Sequence, residues 1–168
     1  MTEHAIILDT GALLAKYYRL IPRFRVKLFT TPSAVEEVKD IENKEALIQA
    51  IELELITIES PAKKYVEKVV KLARNIGEIT RLSNTDIEIA ALALMLNDKE
   101  YKAIVITDDY DLQNLLLHVG IGFKPLKTRG IEGARVYIEH CPTCGYVPGS
   151  PGERTCPLCN TPLKRIMA

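Results

Sequence analysis

Short continuous apolar runs alternate with longer stretches of helical period along the first 125 residues. "AIILD" (5–9), "LFTTP" (28–32), "LITIES" (55–60) and "KAIVIT" (102–107) read as buried strands. Between them, "TGALLAKYY", "SAVEEVKD", "KEALIQAIELE" and "AKKYVEKVVKLARNI" read as helices. Ser33 is placed to cap the second of these, Pro61 fits the first turn of the last, and Gly77 ends it. "SNTDIEIAALALMLND" is the most apolar helix and is predicted to be central. "DLQNLLLHVG" is a helix closed by Gly120, and "GFKPLK" reads as an edge strand. Apolar strands alternating with helices predict an α/β fold, a parallel sheet covered on both faces.

After about residue 125 the long helical patterns stop, and Gly, Pro and Thr become frequent. This divides the chain into a body (1–125), a linker around "TRGIEG" (126–134) and a small C-terminal module (135–168). No internal repeat or low-complexity tract appears. Hydrophobic residues make up 47% and charged residues 26%, a globular balance that excludes disorder. Apolar runs such as "IAALALML" are too short to cross a bilayer, and "MTEHAIILD" lacks the features of a signal peptide. The expectation is a soluble, cytoplasmic protein with no membrane partner.

The net charge of zero hides an asymmetry. Residues 1–111 carry 15 Lys and Arg against 19 Asp and Glu, a net −4, whereas residues 112–168 carry 7 against 3, a net +4. A basic appendage on an acidic body suits a polyanion, although small basic tails are also often simply solvated.

The acidic residues raise the sharper question. Asp108, Asp109 and Asp111 fall within four positions after a run of β-branched residues, where turn chemistry needs only one of them. In open α/β sheets, ligands bind outside the carboxyl ends of the strands. Asp9 ends the first strand, Glu36 and Glu37 follow the second, Asp86 opens the apolar helix and Asp109 follows "IVIT". Carboxylates drawn onto one end of a sheet repel one another. A divalent cation relieves that repulsion, and hard oxygen ligands select Mg²⁺ or Mn²⁺. Each acid also has a bland reading. Ser83 and Asp86 have the spacing of a capping box, Asp108 or Asp109 suits an N-cap, and Glu36 and Glu37 suit the positive end of their helix.

"CPTCGYVPGSPGERTCPLCN" supplies Cys141, Cys144, Cys156 and Cys159 as two C-x-x-C knuckles. Gly145 and Asn160 follow them closely and suit the tight turns that aim four thiolates at one structural Zn²⁺. A module this small gains much of its stability from such a metal. Iron on the same thiolates remains an alternative. His140 reads as a surface residue; His4 and His118 have no identifiable partner.

"ILDTGALL", "SAVEEVKD", "LSNTDIEIAALAL" and "ITDDYDLQN" resemble the four acidic motifs of the PIN-domain ribonucleases, which hold Mg²⁺ or Mn²⁺ and hydrolyse single-stranded RNA. The resemblance implies a site of Asp9 beside Thr10, Glu37 rather than Glu36, Asp86, and Asp109 of the pattern Thr107-Asp108-Asp109, with Asp111 one step further out. Thr10 and Thr107 are expected to help order the site. With the ribbon, ending in "CPLCNTPLKRI", the chain is similar to the Nin-one-binding endonucleases, in an archaeal-type, uninserted form. That resemblance implies cleavage at the 3′ end of the small-subunit (16S) rRNA precursor. Its implied partners are the small ribosomal subunit precursor and assembly factors. It keeps two rivals in view: a toxin-type PIN ribonuclease, and a non-catalytic RNA-binding assembly factor.

The family reading gives the basic residues a use. "KYYRLIPRFRVK" places Lys16, Arg19, Arg23, Arg25 and Lys27 among Tyr17, Tyr18 and Phe24, a pattern able to track phosphates and stack unpaired bases. The same stretch also reads as core aromatics with a solvated loop. In the ribbon, Arg135, Arg154, Lys164 and Arg165 are candidate RNA contacts.

Overall fold

The computed structural model describes residues 3–168. Five parallel strands form one sheet: β1 (His4–Leu8), β2 (Val26–Thr30), β3 (Thr57–Ile58), β4 (Lys102–Ile106) and β5 (Gly122–Lys124). Their order is β3-β2-β1-β4-β5. The chain winds outward from β1 to β3 and then crosses back to lay β4 on the other side of β1. The carboxyl ends of β1 and β4 therefore flank the switch point, where an open α/β sheet forms its crevice.

Six helices cover the sheet: α1 (Thr10–Leu14), α2 (Pro32–Glu37), α3 (Ile41–Glu52), α4 (Lys63–Asn75), α5 (Asn84–Asp98) and α6 (Tyr110–Val119). The α5 helix is the central one, with every residue from Ile89 to Leu96 buried. It packs against β1 and β4 and between α4 and α6, which is why it lacks a polar face.

Three local expectations need correction. The helix from Thr10 stops at Leu14, because Lys16 turns left-handed (φ +52°) and leads into a 3-10 turn at Tyr17–Arg19. Thr31, rather than Ser33, caps α2 and accepts from the Ala34 N–H at 3.3 Å. Pro32 explains the shift, since a proline starts a helix well and keeps its predecessor extended. Pro61 lies just outside α4, whose N-cap is Ala62.

Beyond β5 the chain crosses the body as a strap tied down by side chains of the β4–α6 connection and α6. The Leu126, Lys127 and Thr128 amides donate to Asp108, Ile131 N–H donates to Gln113, and the Arg135 backbone both donates to and accepts from Asn114. The ribbon follows as antiparallel β6 (Tyr137–His140) and β7 (Lys164–Met167), with Glu139 opposite Arg165. The ribbon seats on the body where Tyr137 N–H donates to the Ile76 carbonyl at 2.9 Å and Arg165 reaches wholly buried Glu78 at 2.6 Å. No helix among the described residues is long and apolar enough to cross a membrane.

Candidate active site and metal centre

Four acids gather at the crevice, and local chain chemistry places each. Asp9 leaves β1 as the N-cap of α1, its Oδ1 accepting from Ala12 N–H at 2.8 Å. Asp109 follows β4 as the N-cap of α6, its Oδ1 accepting from Asp111 and Leu112 N–H at 2.8 and 2.9 Å. Asp86 completes a capping box at the start of α5, its Oδ2 accepting from both the backbone and the hydroxyl of Ser83 at 2.7 Å. The bland readings of Asp86 and Asp109 are thus structurally true. They also leave one oxygen of each carboxylate uncommitted to the cap.

Glu37 comes from the end of α2. Its two oxygens accept from Thr10 at 2.7 Å and from Thr85 at 2.6 Å, so Glu37, although exposed like Glu36, is the one held at the site. Thr85 is a buried residue that the sequence reading missed. Its only signal was its place beside Asp86 in "SNTD", and the packing of α2 on α5 gives it a partner.

The electrostatics bear the marks of crowding. Burial raises the Asp9 carboxyl above its ordinary value; the hydroxyl of Thr107 and the Ala12 amide pull it back, and Asp86 and Asp109 push it further up. Burial likewise raises Asp86, against its bonds from Ser83, and Asp109 and Glu37 add to the rise. Thr107 is fully buried between these groups and also accepts from Asp109 N–H at 3.1 Å. Asp108 points elsewhere. Its burial is outweighed by the strap amides of Lys127, Thr128 and Leu126, which hold its carboxyl below the ordinary range. Asp111 pairs with Arg81 at 3.2 Å.

Among the described residues, the site's acids do not make up a close group of three or more ligand atoms such as the ribbon thiols form.

The thiols form a tighter cage. Among the described residues, Cys141, Cys144, Cys156 and Cys159 are the one group whose ligand atoms all lie within 4.8 Å of one another. The Sγ separations of 3.4, 3.5 and 3.7 Å approach the roughly 3.8 Å edge of a tetrahedron with Zn–S bonds of about 2.3 Å. The two knuckles repeat one design. Gly145 N–H donates to Cys141 O and Asn160 N–H to Cys156 O, each at 2.9 Å, with Gly145 and Asn160 left-handed at φ +76° and +60°. Burial opposes ionisation of Cys141, but the amides of Cys144 and Thr143 hold its thiol down to about 6. These four residues can hold one zinc ion.

The basic candidates divide by how they are used. Lys16 pairs with Glu42, Lys27 with Glu3, and Arg23 donates to the Leu55 carbonyl. Arg165 pairs with Glu78 and lies over the Tyr137 ring at 3.6 Å. Arg19, Arg135, Arg154 and Lys164 are exposed. The interleaved aromatics also split, with Tyr18 in the core and Phe24 84% exposed.

Comparison with known proteins follows the same lines. The signature of the family described as "PIN domain of ribonuclease" matches residues 6–96. The chain is 37% identical over 140 residues to Endoribonuclease Nob1 of Pyrococcus abyssi, covering 82% of this chain and 83% of that one. It is 36% identical over 128 residues to Ribonuclease VapC3 of Aeropyrum pernix, covering 76% and 90%. With Endoribonuclease Nob1 of Methanocaldococcus jannaschii it shares 32% identity over 163 residues, covering 96% and 77%.

Proposed function

The chain belongs to the PIN-domain ribonuclease family, and from that premise we propose that it is a metal-dependent endoribonuclease acting on single-stranded RNA. Its target in this reading is the 3′ end of the small-subunit (16S) rRNA precursor, within the precursor subunit and its assembly factors. The observation that carries the reading is the gathering of Asp9, Glu37, Asp86 and Asp109 at one switch point, with Asp9 and Asp86 raised by burial and by their neighbours' charge. A surface made only for docking has no use for such mutual repulsion.

Mg²⁺ or Mn²⁺ bound there would activate water and offset the charge that develops on the phosphate. The chain's own contribution is positional. Thr10 and Thr85 fix both oxygens of Glu37. Thr107 ties Asp9 to the turn carrying Asp109. Three helix starts at the site place backbone N–H groups against its carboxylates and so fix where they point. Exposed Arg19, Arg135, Arg154 and Lys164 are available to RNA phosphates.

Both ribonuclease names among the relatives share this chemistry. The rRNA-processing reading is supported by a relative named 20S-pre-rRNA D-site endonuclease NOB1, of Saccharomyces cerevisiae, 28% identical over 95 residues. Ribbon coverage does not separate the readings, since Endoribonuclease Nob1 of Methanocaldococcus jannaschii covers 96% of this chain and Ribonuclease VapC1 of Thermoplasma acidophilum 95%. The test is a labelled RNA spanning the mature small-subunit 3′ end and its downstream spacer, incubated in Mn²⁺, Mg²⁺ or chelator. A single metal-dependent cut at the mature end, lost in Asp9→Asn with the circular dichroism unchanged, is the expected result. Binding without cleavage in either metal would leave the assembly-factor reading in its place.

A further inference from the structure

Between body and ribbon lies a cleft of about 190 Å³. Arg74, Gly77 and Thr80 line one wall, Tyr137, Glu139 and Arg165 the other, and residues 147–151 form the rim. Its size is below the roughly 300–1,000 Å³ of pockets for whole small molecules, and suits a single flat ring system.

Two polar atoms in its wall are unusual. Glu139 Oε2 and Arg165 Nε are covered from solvent and have no hydrogen-bond partner among the described residues. They belong to directly opposed residues of β6 and β7, yet do not pair, because Arg165 extends its Nη2 to Glu78 at 2.6 Å. An acceptor and a donor are thus left without partners on two opposed residues, a costly arrangement unless something else completes it. At the mouth, Arg74 is exposed and makes no ion pair among the described residues.

The cleft also adjoins the acidic site through one turn. Thr80 lines the cleft, and the next residue, Arg81, donates to Asp111 in the first turn of α6, whose cap is Asp109. A strand lying across the crevice would pass this turn.

We propose that the cleft receives one unpaired base of the RNA, guanine in preference to adenine. This rests on the ribonuclease reading above. The carboxylate of Glu139 accepts from the guanine N1–H and N2–H, Arg165 Nε donates to O6, and Arg74 meets the adjoining phosphate. Entry requires the side chains of Glu139 and Arg165 to turn their two covered atoms toward the base. Adenine would set its N1 acceptor against the Glu139 acceptor. Recognition of a splayed base on its Watson–Crick edge is the ordinary way proteins read single-stranded RNA.

The test uses the zinc-loaded full chain and short single-stranded RNAs in buffer with no added Mg²⁺ or Mn²⁺, with binding read by fluorescence anisotropy. An RNA whose single guanine is moved along an adenine background is expected to bind about tenfold tighter at one position, and Glu139→Gln to erase that preference. Arg74→Ala weakens all RNAs alike. A 6-thioguanosine at the preferred position should crosslink within residues 137–151. No positional preference, or crosslinks only outside the cleft, overturns the proposal. The parallel cleavage assay separates the two readings: cleavage without base preference removes the cleft and keeps the nuclease, and base preference without cleavage does the reverse.

Discussion

Asp86 and Asp109 each commit one carboxylate oxygen to the start of a helix, so capping and site-building are compatible in a single side chain. Asp9 adds a measurable consequence. Its raised carboxyl, like that of Asp86, makes the metal-free fold bind protons more tightly than the unfolded chain does. The associated stability is present below the ordinary aspartate range and is lost as pH rises through the raised value. With zinc in the ribbon and no Mg²⁺ or Mn²⁺ added, Asp9→Asn is therefore expected to raise the thermal midpoint at neutral pH, Asn being as good an N-cap, with the gain shrinking as the buffer is made acidic. Differential scanning fluorimetry across pH reads it directly; an unchanged or lowered midpoint at neutral pH would contradict it. Thr85→Val tests positioning. It keeps the shape, frees one Glu37 oxygen, and should lower kcat on the order of tenfold while leaving RNA affinity in chelator unchanged. Asp9, Asp86 and Asp109 were legible because each follows or opens an element. Thr85 was not, since its partner is 48 positions away.

The inner strands β1, β2 and β4 and helix α5 were readable because burial imposes continuous apolar runs, and Ile89–Leu96 is such a run. By contrast, β3 is two exposed residues, Thr57 and Ile58, of the six in "LITIES". Element ends were less readable. At Thr31-Pro32-Ser33 three residues compete to start one helix, and proline geometry decides in favour of the threonine. Gly77 was read correctly as the end of α4, but its second role depends on a remote strand. At φ +72° it lets the backbone turn, and a Cβ there would come within 2.1 Å of the Tyr137 carbonyl oxygen. Gly77→Ala should therefore unseat β6 from α4 as well as strain the turn. Hydrogen exchange is the check: amides of the ribbon strands should exchange faster, with the α5 amides still protected. Equal protection of both would show that the contact is dispensable.

At the scale of the whole molecule, the ribbon's metal cage was legible from four cysteines and their three spacings, and its placement was not. Placement depends on Glu78 and Arg165, 87 residues apart, and on Asn114 gripping the Arg135 backbone, none of which leaves a pattern in either segment alone. Because the ribbon has a small core of its own, stripping zinc should unfold it and leave the parallel sheet intact. One zinc per chain by elemental analysis, and loss of protection confined to residues 137–167 after chelation, are the expected readings; simultaneous loss in the body would mean that the two units fold as one. The strand order has a consequence for synthesis. Ile7 pairs with Val105 and Leu8 with Ile106, so the middle of the sheet stays open until β4 has been made. Asp9, Glu37 and Asp86 all precede that point, and Asp109 comes just after it. A nascent chain therefore carries Asp9, Glu37 and Asp86 without a crevice to gather them until β4 and Asp109 have been added.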